Sequence, residues 1–327
     1  MRTLSNWGRW GKDDELGTIN LITPEKRAAA ARLVKDGVSV TCARPWSTEL
    51  AADTSVQPMR FMVDSGEGRD HDSNERILQR RGAAEFIGMV FHGYNITHVD
   101  APPHYFWDGK FYNGRSCNLV TSREGATVNS VEVLHDGVVS RGVLLDIARA
   151  RGVKWLEAGQ GVMPEDLEAA EKAQGVRVES GDILLVRTGF YGRRLAEGPV
   201  HPMEAGTPAV HVASCPWLRE RGVAMIGSDT HNDIAPLPYP ALGNSFHVVC
   251  LVAMGLWLID NGNLEDLARA CAERKRWEFL LTVAPFVSRT SRARPSTPSR
   301  CSEDARPRHL SVRFLYKSRG LRREGSS

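Results

Sequence analysis

Short apolar runs alternate with amphipathic stretches along most of the chain. Runs of strand length separated by segments with helical spacing are typical of a sheet covered by helices. The pattern predicts strands at Val38–Cys42, Gly142–Ala148, Asp182–Arg187, Val223–Gly227 and Phe279–Val283. It predicts helices at Pro24–Leu33, Pro164–Gln174, Ser214–Arg221, Ser245–Asp260 and Leu264–Arg274. The predicted class is α/β, with a mixed sheet and flanking helices.

The segment Ser245–Asp260 is the longest apolar run, interrupted mainly by His247 and Asp260 near its two ends. Its length favours a buried helix over a strand. The pair Asn261-Gly262 is a turn signal, so the helix is expected to end there.

A cluster of polar residues follows the apolar run Ile87–Phe91, which has strand character. His98, Asp100 and His104 fall within seven residues. On a strand, residues i and i+2 share a face, so His98 and Asp100 would point the same way. Pro102 and Pro103 cannot continue a sheet ladder, and the resulting bend could return His104 to the other two.

These three side chains have two interpretations. Nitrogen and oxygen ligands of this kind suit a divalent metal, either zinc or manganese. A single histidine on an apolar strand is, however, more often a hydrogen-bonded core residue. The spacing alone leaves both interpretations open.

The segments on either side of this cluster offer further candidates. Five aromatic residues lie between Tyr105 and Tyr112, and they could line a ligand pocket or form ordinary core at a hairpin. Residues 48–84 are polar and charged, which predicts a long loop. That loop could be a flap over a site or a mobile surface insertion.

Composition narrows the class of protein. Of the 327 residues, 42% are hydrophobic and 25% are charged, which is ordinary for a soluble globular protein. No stretch approaches the ~20 apolar residues that cross a bilayer, and no signal peptide is apparent, so we expect a cytoplasmic protein with no membrane partner. The six cysteines form no C-x-x-C pair and are expected to be free thiols.

The basic balance of the sequence belongs to its last segment. Residues 287–327 contain ten Arg and one Lys against three acidic residues, a net charge of +8, so the overall +3 leaves residues 1–286 at −5. We therefore expect no nucleic-acid partner for the body. The predicted organisation is one folded domain at 1–286 and a disordered Arg/Ser/Pro-rich tail at 287–327.

The tail has a second possible origin. Codons for Ala293–Ser299 exist that encode G-S-P-V-N-P-I in the adjacent reading frame. This leads to the hypothesis that the tail is a frame-shifted C-terminus, and the nucleotide sequence decides it. A genuine basic tail that binds an anionic partner is the alternative.

The segment Tyr94–His104 resembles the signature H-x-G-T-H-x-D-x-P-x-H of the putative cyclase family, which includes bacterial kynurenine formamidase-like and isatin hydrolase-like proteins. T-H-V-D-A-P-P-H fits the second half. Tyr94 stands where the family has its first His, and Ile96 stands where it has Gly. W-G-K-D-D-E-L-G-T-I-N-L-I-T-P-E-K, G-D-I-L-L-V-R-T-G and A-C-A-E-R-K-R-W-E-F-L-L-T-V-A-P also resemble this family.

The resemblance implies a swivelling β/β/α fold and a metal-dependent hydrolase that cleaves an amide or lactone bond of a small-molecule substrate. It implies a homodimer or higher homo-oligomer. The metal ligands would come from His98, Asp100, His104, His247 and Asp260. Proton delivery would fall to His104 or, as second candidate, His231. Substrate contacts would come from His92, Tyr94, Phe106 and Trp107.

Two features of the resemblance leave alternatives open. Tyr94 in place of His favours one metal over two, although His92 could compensate because it lies two residues earlier on the same strand face. The rival functions are metal-assisted cyclisation or isomerisation and non-catalytic binding. No G-x-S-x-G elbow appears, which argues against a serine hydrolase.

Overall fold

The structure is a computed structural model that describes residues 2–68 and 82–286. The predicted tail and the centre of the polar 48–84 segment lie outside the described residues. No helix within the described ranges is long and apolar enough to cross a membrane.

A six-stranded mixed sheet forms the centre of the protein, and a separate hairpin lies before it. The hairpin pairs β1 (Met59–Asp64) with β2 (Ala84–Gly88). The sheet contains β3 (His98–Asp100), β4 (Val138–Asp146), β5 (Ile183–Arg187), β6 (Met225–Ser228), β7 (Trp257–Asp260) and β8 (Glu278–Val283). Its order is β8-β4-β5-β6-β7-β3. The four central strands are parallel, and the two edge strands are antiparallel to their neighbours.

Eight α-helices connect or flank the strands in the described ranges, in addition to short 3-10 turns. They are α1 (Pro24–Ala31), α2 (Ile147–Ala150), α3 (Pro164–Gln174), α4 (Phe190–Glu197), α5 (Pro202–Ala205), α6 (Cys215–Arg221), α7 (Ser245–His247, continuing as a π-helix over Val248–Met254) and α8 (Glu265–Arg274). The sequence dictates several boundaries. The Thr23 side chain caps α1, Pro24 occupies its first position, and Gly175 ends α3 in the left-handed conformation.

Both faces of the sheet are buried, as parallel strands require. On one face, strand residues such as Leu145, Val186 and Ile226 pack against residues of α3, α6 and α7. On the other face, Leu144 and Leu185 pack against α8, and Met225 and Trp257 pack against the segment around Ile19. The sheet is therefore a rigid support whose strand ends carry polar residues.

Side chains of the N-terminal segment donate hydrogen bonds to the carbonyls at the end of α7. The Asn6 side chain donates to the Met254 carbonyl at 2.8 Å, and Trp7 Nε1 donates to the Val252 carbonyl at 2.6 Å. The Thr18 hydroxyl donates to the Gly255 carbonyl at 3.1 Å. Carbonyls in the last turn of a helix lack intrahelical partners, and residues from the start of the chain supply them here.

Most predicted elements are confirmed, with shifts of a few residues at their ends. The strand predicted at Val38–Cys42 is wrong. That segment has no assigned strand, although Val40 and Cys42 pack against the core. Burial of alternate side chains does not require a neighbouring strand. The strand predicted over Ile87–Phe91 ends at Gly88. The five cysteines within the described ranges are free thiols, as expected.

The single helix predicted over Ser245–Asp260 is also wrong. The helix ends at Met254, Gly255 adopts φ +61° and ψ +30°, and the chain continues as β7. Both halves are almost fully buried, so hydrophobicity alone cannot distinguish them. Asp260 therefore ends a strand rather than a helix, which places it opposite His98 of β3.

We expect Gly255→Ala to lower the free energy of unfolding by about 3 kcal/mol, which denaturant titration would measure. A Cβ at residue 255 would lie 2.5 Å from Cε2 of Tyr112, so crowding adds to the cost of the left-handed conformation. Gly175→Ala is the matched control, because its φ and ψ are nearly the same and its Cβ would meet nothing within 4 Å. Equal losses in the two variants would contradict the role of crowding.

Candidate active site

Strand β3 and the turn after it bring three of the predicted site residues together. His98 and Asp100 are buried and Val99 less so, as a shared strand face predicts. Pro102–His104 forms a 3-10 turn that ends the strand. The turn returns His104 to the site, where its Nε2 lies 3.9 Å from Asp100 Oδ1. The predicted bend is confirmed.

Asp100 is the centre of the site. Three imidazole nitrogens approach its Oδ1: His92 Nδ1 at 3.0 Å, His98 Nε2 at 3.5 Å and His104 Nε2 at 3.9 Å. None of them has hydrogen-bond geometry, and Oδ1 finds no donor anywhere in the described parts of the chain. The other oxygen, Oδ2, lies 3.2 Å from His247 Nε2. A buried carboxylate oxygen without a donor needs another partner.

The remote ring nitrogens of two histidines are held by hydrogen bonds. His98 Nδ1 lies 2.8 Å from the Ile96 carbonyl, which can only accept, so Nδ1 carries a proton and Nε2 faces Asp100. His247 Nδ1 contacts the Asp233 carboxylate. Imidazoles that bind metals are oriented in this way by carbonyl or carboxylate groups.

Asp260 and Asp233 lie beside His247 at the carboxyl ends of the parallel strands. Asp260 Oδ2 lies 3.7 Å from His247 Nε2, and its Oδ1 accepts from the Asn232 side chain at 2.7 Å. Asp233 also accepts from the backbone N–H of Phe246 at 3.0 Å and so fixes the start of α7. The loop after β6 and the end of β7 thus position His247.

The pKa values of the central groups depend on burial and on one another. Burial acts to raise the pKa of Asp100, but the neighbouring histidines outweigh it and hold the carboxyl well below its usual pKa. Burial acts to lower the pKa of His247, but Asp100, Asp233 and Asp260 outweigh it and raise that pKa well above its usual value. Burial lowers the pKa of His104 to about 4.

His231 and Tyr94 lie together beside this cluster. The two ring centroids are 5.1 Å apart with planes inclined at 71°, and the ring centroid of His201 lies 5.5 Å from that of Tyr94. His231 is buried, and burial lowers its pKa to about 4. Asn232 and Asp233 follow directly, and they contact Asp260 and His247.

Arg44 forms hydrogen bonds with two of the loops that carry site residues. Its guanidinium donates to the backbone carbonyls of Tyr94 at 2.9 Å and Asp229 at 2.5 Å. It also lies over the ring of Tyr191 at 4.4 Å. Burial lowers the pKa of Arg44 to about 10, so it stays charged at neutral pH.

The buried Asp229 carboxylate accepts hydrogen bonds from the backbone N–H and the hydroxyl of Thr188 and from the backbone N–H of Gly189.

The aromatic run after His104 is divided between the site and the surface. Tyr105 contacts the rings of His104 and His247, both at 4.9 Å, and its hydroxyl accepts from Asn244. Phe106 is exposed and lies 6.2 Å from Phe111. Trp107 pairs with Lys110 in a turn. Tyr105, which belonged to the predicted aromatic run but not to the predicted substrate contacts, thus contacts the imidazoles.

Two groups of side chains could hold a metal ion. His92, His98 and Asp100 form one, and Asp100, His104 and His247 form the other; in each group the ligand atoms lie within 4.8 Å of one another. The chemistry of the donors fits a divalent metal, because carboxylate oxygen and imidazole nitrogen suit zinc or manganese. The unpartnered Oδ1 of Asp100 is the structural feature that such an ion would satisfy.

Sequence reasoning assigned no ligand or catalytic role to Asp233 or Arg44. His92 was considered mainly as a substrate contact, because the signature expects the first His at position 94. The spacing H-x5-H-x-D was the available signal, and the loop of residues 89–97 accommodates the two extra residues. No sequence signal pointed to Arg44.

The chain is similar to one family model and to several solved structures. Residues 47–232, more than half of the chain, match the family model described as Putative cyclase. A crystal structure described as a novel cyclase has 29% identity and a TM-score of 0.75, covering 85% of this chain and 91% of the other. No curated protein sequence matches the chain.

Two more distant structures also match. Isatin hydrolase A from Labrenzia aggregata has 16% identity and a TM-score of 0.49, covering 70% of this chain and 81% of its own. A predicted metal-dependent hydrolase from Bacillus stearothermophilus has 15% identity and a TM-score of 0.41, covering 70% and 83%.

Proposed function

Because the chain belongs to the putative cyclase family, we propose that it is a metal-dependent hydrolase that cleaves an amide or lactone bond of a small molecule. One observation carries the proposal: a buried carboxylate oxygen of Asp100 has no hydrogen-bond donor among the described residues and faces three imidazole nitrogens. A buried carboxylate oxygen left without a donor is costly, and a bound metal ion would satisfy it.

The proposed metal ligands are His92, His98 and Asp100. His98 already has its Nδ1 engaged and its Nε2 free, and the side chain of His92 is 49% exposed, so a substrate could approach from that side. In this proposal His247 orients Asp100 rather than binding the metal, because its Nε2 lies at hydrogen-bonding distance from Asp100 Oδ2. Asp260 supports His247 in turn.

When bound, a divalent metal such as zinc or manganese would polarise the substrate carbonyl and lower the pKa of water. The chain supplies proton transfer. His104 is the proposed carrier, because it is neutral at pH 7 and its Nε2 faces the site without being hydrogen-bonded to Asp100. It would take a proton from the attacking water and deliver it to the leaving nitrogen or oxygen.

The test combines metal analysis with product mass. We expect purified protein reconstituted with zinc or manganese to bind about one ion per chain and to hydrolyse members of a panel of aryl amides, formamides and lactones. Hydrolysis adds one water to the substrate mass, whereas cyclisation or isomerisation does not. Bound metal without turnover of any compound would instead favour a non-catalytic binding protein.

We also propose that the protein forms a homodimer or higher homo-oligomer through its β1–β2 hairpin. One face of the hairpin presents Met59, Phe61 and Phe86, which are 58%, 56% and 41% exposed. An isolated two-stranded hairpin is marginally stable in water, and exposed apolar patches of this kind mark interfaces.

We expect Met59→Glu to convert the oligomer to a smaller species, because it would place a charge in the buried interface. Light scattering coupled to size exclusion measures the molar mass. Leu195→Glu is the control, since Leu195 is 61% exposed and belongs to α4 rather than to the hairpin. A native protein that is monomeric at all concentrations would refute the proposal.

A further inference from the structure

The loop of residues 89–97 joins β2 to β3, and it carries His92 and leads directly into His98. Both histidines are proposed metal ligands, yet the loop has no helix or strand of its own. Backbone carbonyls in such a segment need donors from elsewhere in the chain. The Arg44 guanidinium supplies one to the Tyr94 carbonyl, and Asn261 supplies others. Side chains from outside the loop therefore hold it in place.

Asn261 contacts the loop at three points. It is only 2% exposed and follows Asp260 directly at the end of β7. Its side-chain Nδ2 donates to the Gly93 carbonyl at 2.8 Å and lies 3.3 Å from the Ile96 carbonyl, to which it also donates. Its backbone carbonyl accepts from the Thr97 hydroxyl at 2.7 Å. The turn after β7 thus serves as a support for the loop before β3.

The Ile96 carbonyl connects Asn261 to a proposed metal ligand. The same oxygen accepts from His98 Nδ1 at 2.8 Å, and a carbonyl has two lone pairs, so it can serve both donors. The hydrogen bond to Nδ1 turns His98 Nε2 toward Asp100. Groups that orient a histidine ligand from outside the coordination sphere are needed for full metal affinity.

The backbone of Asn261 is fixed independently of its side chain. Its φ of +57° lies in the left-handed region, which Asn and Gly adopt more readily than other residues. Its N–H donates to the Thr230 carbonyl at 2.7 Å, and the next residue, Gly262, donates to the Ser228 carbonyl at 2.8 Å. A substitution by Gly can therefore remove the amide group and keep the turn.

We propose that Asn261 is a positioning residue of the metal site. Its amide holds the carbonyls of Gly93 and Ile96 so that His92 and His98 present their nitrogens to the same side of Asp100. Asn261 acts through the backbone of the loop and does not itself bind the metal or the substrate. This inference rests on the proposed function for the identity of the metal ligands.

The test is Asn261→Gly in the full chain, with zinc alone as the first probe. We expect zinc affinity to fall about 10- to 100-fold, the range found when outer groups that support a ligand are removed. Competition with a chelator of known affinity measures this loss. Cobalt(II) is the second probe, because its visible absorption depends on the geometry of its ligands. We expect the cobalt spectrum of the variant to differ from that of the native protein.

Asn129→Gly is the matched control. Asn129 is also buried and left-handed, with a φ of +53°, and its amide also donates to a backbone carbonyl, that of Glu15, at 2.9 Å. Neither Asn129 nor Glu15 is a proposed site residue. We expect both glycine variants to lose stability in denaturant titration, whereas Asn129→Gly keeps the native zinc affinity and cobalt spectrum.

Thr97→Val tests the same support from the other side, and it decides if Asn261→Gly fails to fold. The Thr97 hydroxyl donates to the Asn261 carbonyl and accepts from the backbone N–H of Arg44 at 2.8 Å. Valine has nearly the same shape and removes both hydrogen bonds. We expect zinc affinity to fall in this variant too, by a smaller factor than in Asn261→Gly.

Two results would overturn the positioning role. One is native zinc affinity and a native cobalt spectrum in folded Asn261→Gly, or in Thr97→Val where that variant decides. The other is an equal loss of zinc affinity in Asn129→Gly, which would show that the loss follows stability. Neither readout depends on turnover. A chain that binds zinc and shows the expected loss in Asn261→Gly, but hydrolyses nothing, would contradict the proposed function and support the role of Asn261.

Discussion

Asp100→Asn is expected to weaken metal binding at least about 100-fold and to abolish hydrolysis. Even the removal of groups that merely support a ligand costs 10- to 100-fold in metal affinity, and Asp100 is the carboxylate shared by both candidate ligand groups. The amide is nearly the same size, so it removes the charge with little change in packing. Metal content after dialysis and the rate on the best substrate measure the two losses.

The control for this variant is Asp136→Asn, which makes the same chemical change at a side chain that is 93% exposed. It should bind metal and turn over substrate like the native protein. Native metal affinity in Asp100→Asn would remove the basis of the proposed site, even if activity were lost.

His104→Gln is expected to lower kcat at least about 100-fold while metal content stays near one ion per chain. Proton transfer by a positioned side chain contributes a rate factor of about 10² to 10⁴. His104 is not one of the proposed metal ligands, although its ring stacks on that of His92 with centroids 3.9 Å apart. Stopped assays for the rate and elemental analysis for the metal separate proton transfer from ligation.

His135→Gln serves as the matched control, since the side chain of His135 is 62% exposed and far from Asp100 in sequence. Parallel loss of metal and activity in His104→Gln would assign His104 to the ligands instead. An unchanged kcat would exclude His104 from proton transfer and leave His231 as the candidate.

Local sequence patterns predicted the parts of the site that depend on neighbouring residues. His98, Asp100 and His104 could be placed together because strand periodicity and two prolines determine their relative directions. His92 was expected on the same strand face as its neighbours, whereas it reaches Asp100 from an irregular loop that has no periodicity. The contact between His247 and Asp233 depends on the packing of α7 against the sheet, which no local pattern encodes.

In the fold, too, the elements with a local sequence pattern were predicted and those that depend on long-range packing were not. Amphipathic helices such as α3 and α8 were predicted closely, because one polar face reveals the helical period. The buried run Ser245–Asp260 has no polar face, so its division at Gly255 into a helix and a strand was not predicted. Because the strand half of this run was not predicted, the pairing of Asp260 with His98 across β7 and β3 was not predicted either.

The closure of α7 by the N-terminal segment has a consequence for the order of events during synthesis. Asn6, Trp7 and Thr18 reach partners 248, 245 and 237 residues further along the chain. Contacts of such long sequence separation form late in folding. On the ribosome, Asn6 and Trp7 therefore emerge long before their partners are made, and the end of the helix that carries His247 is completed by a much earlier part of the chain.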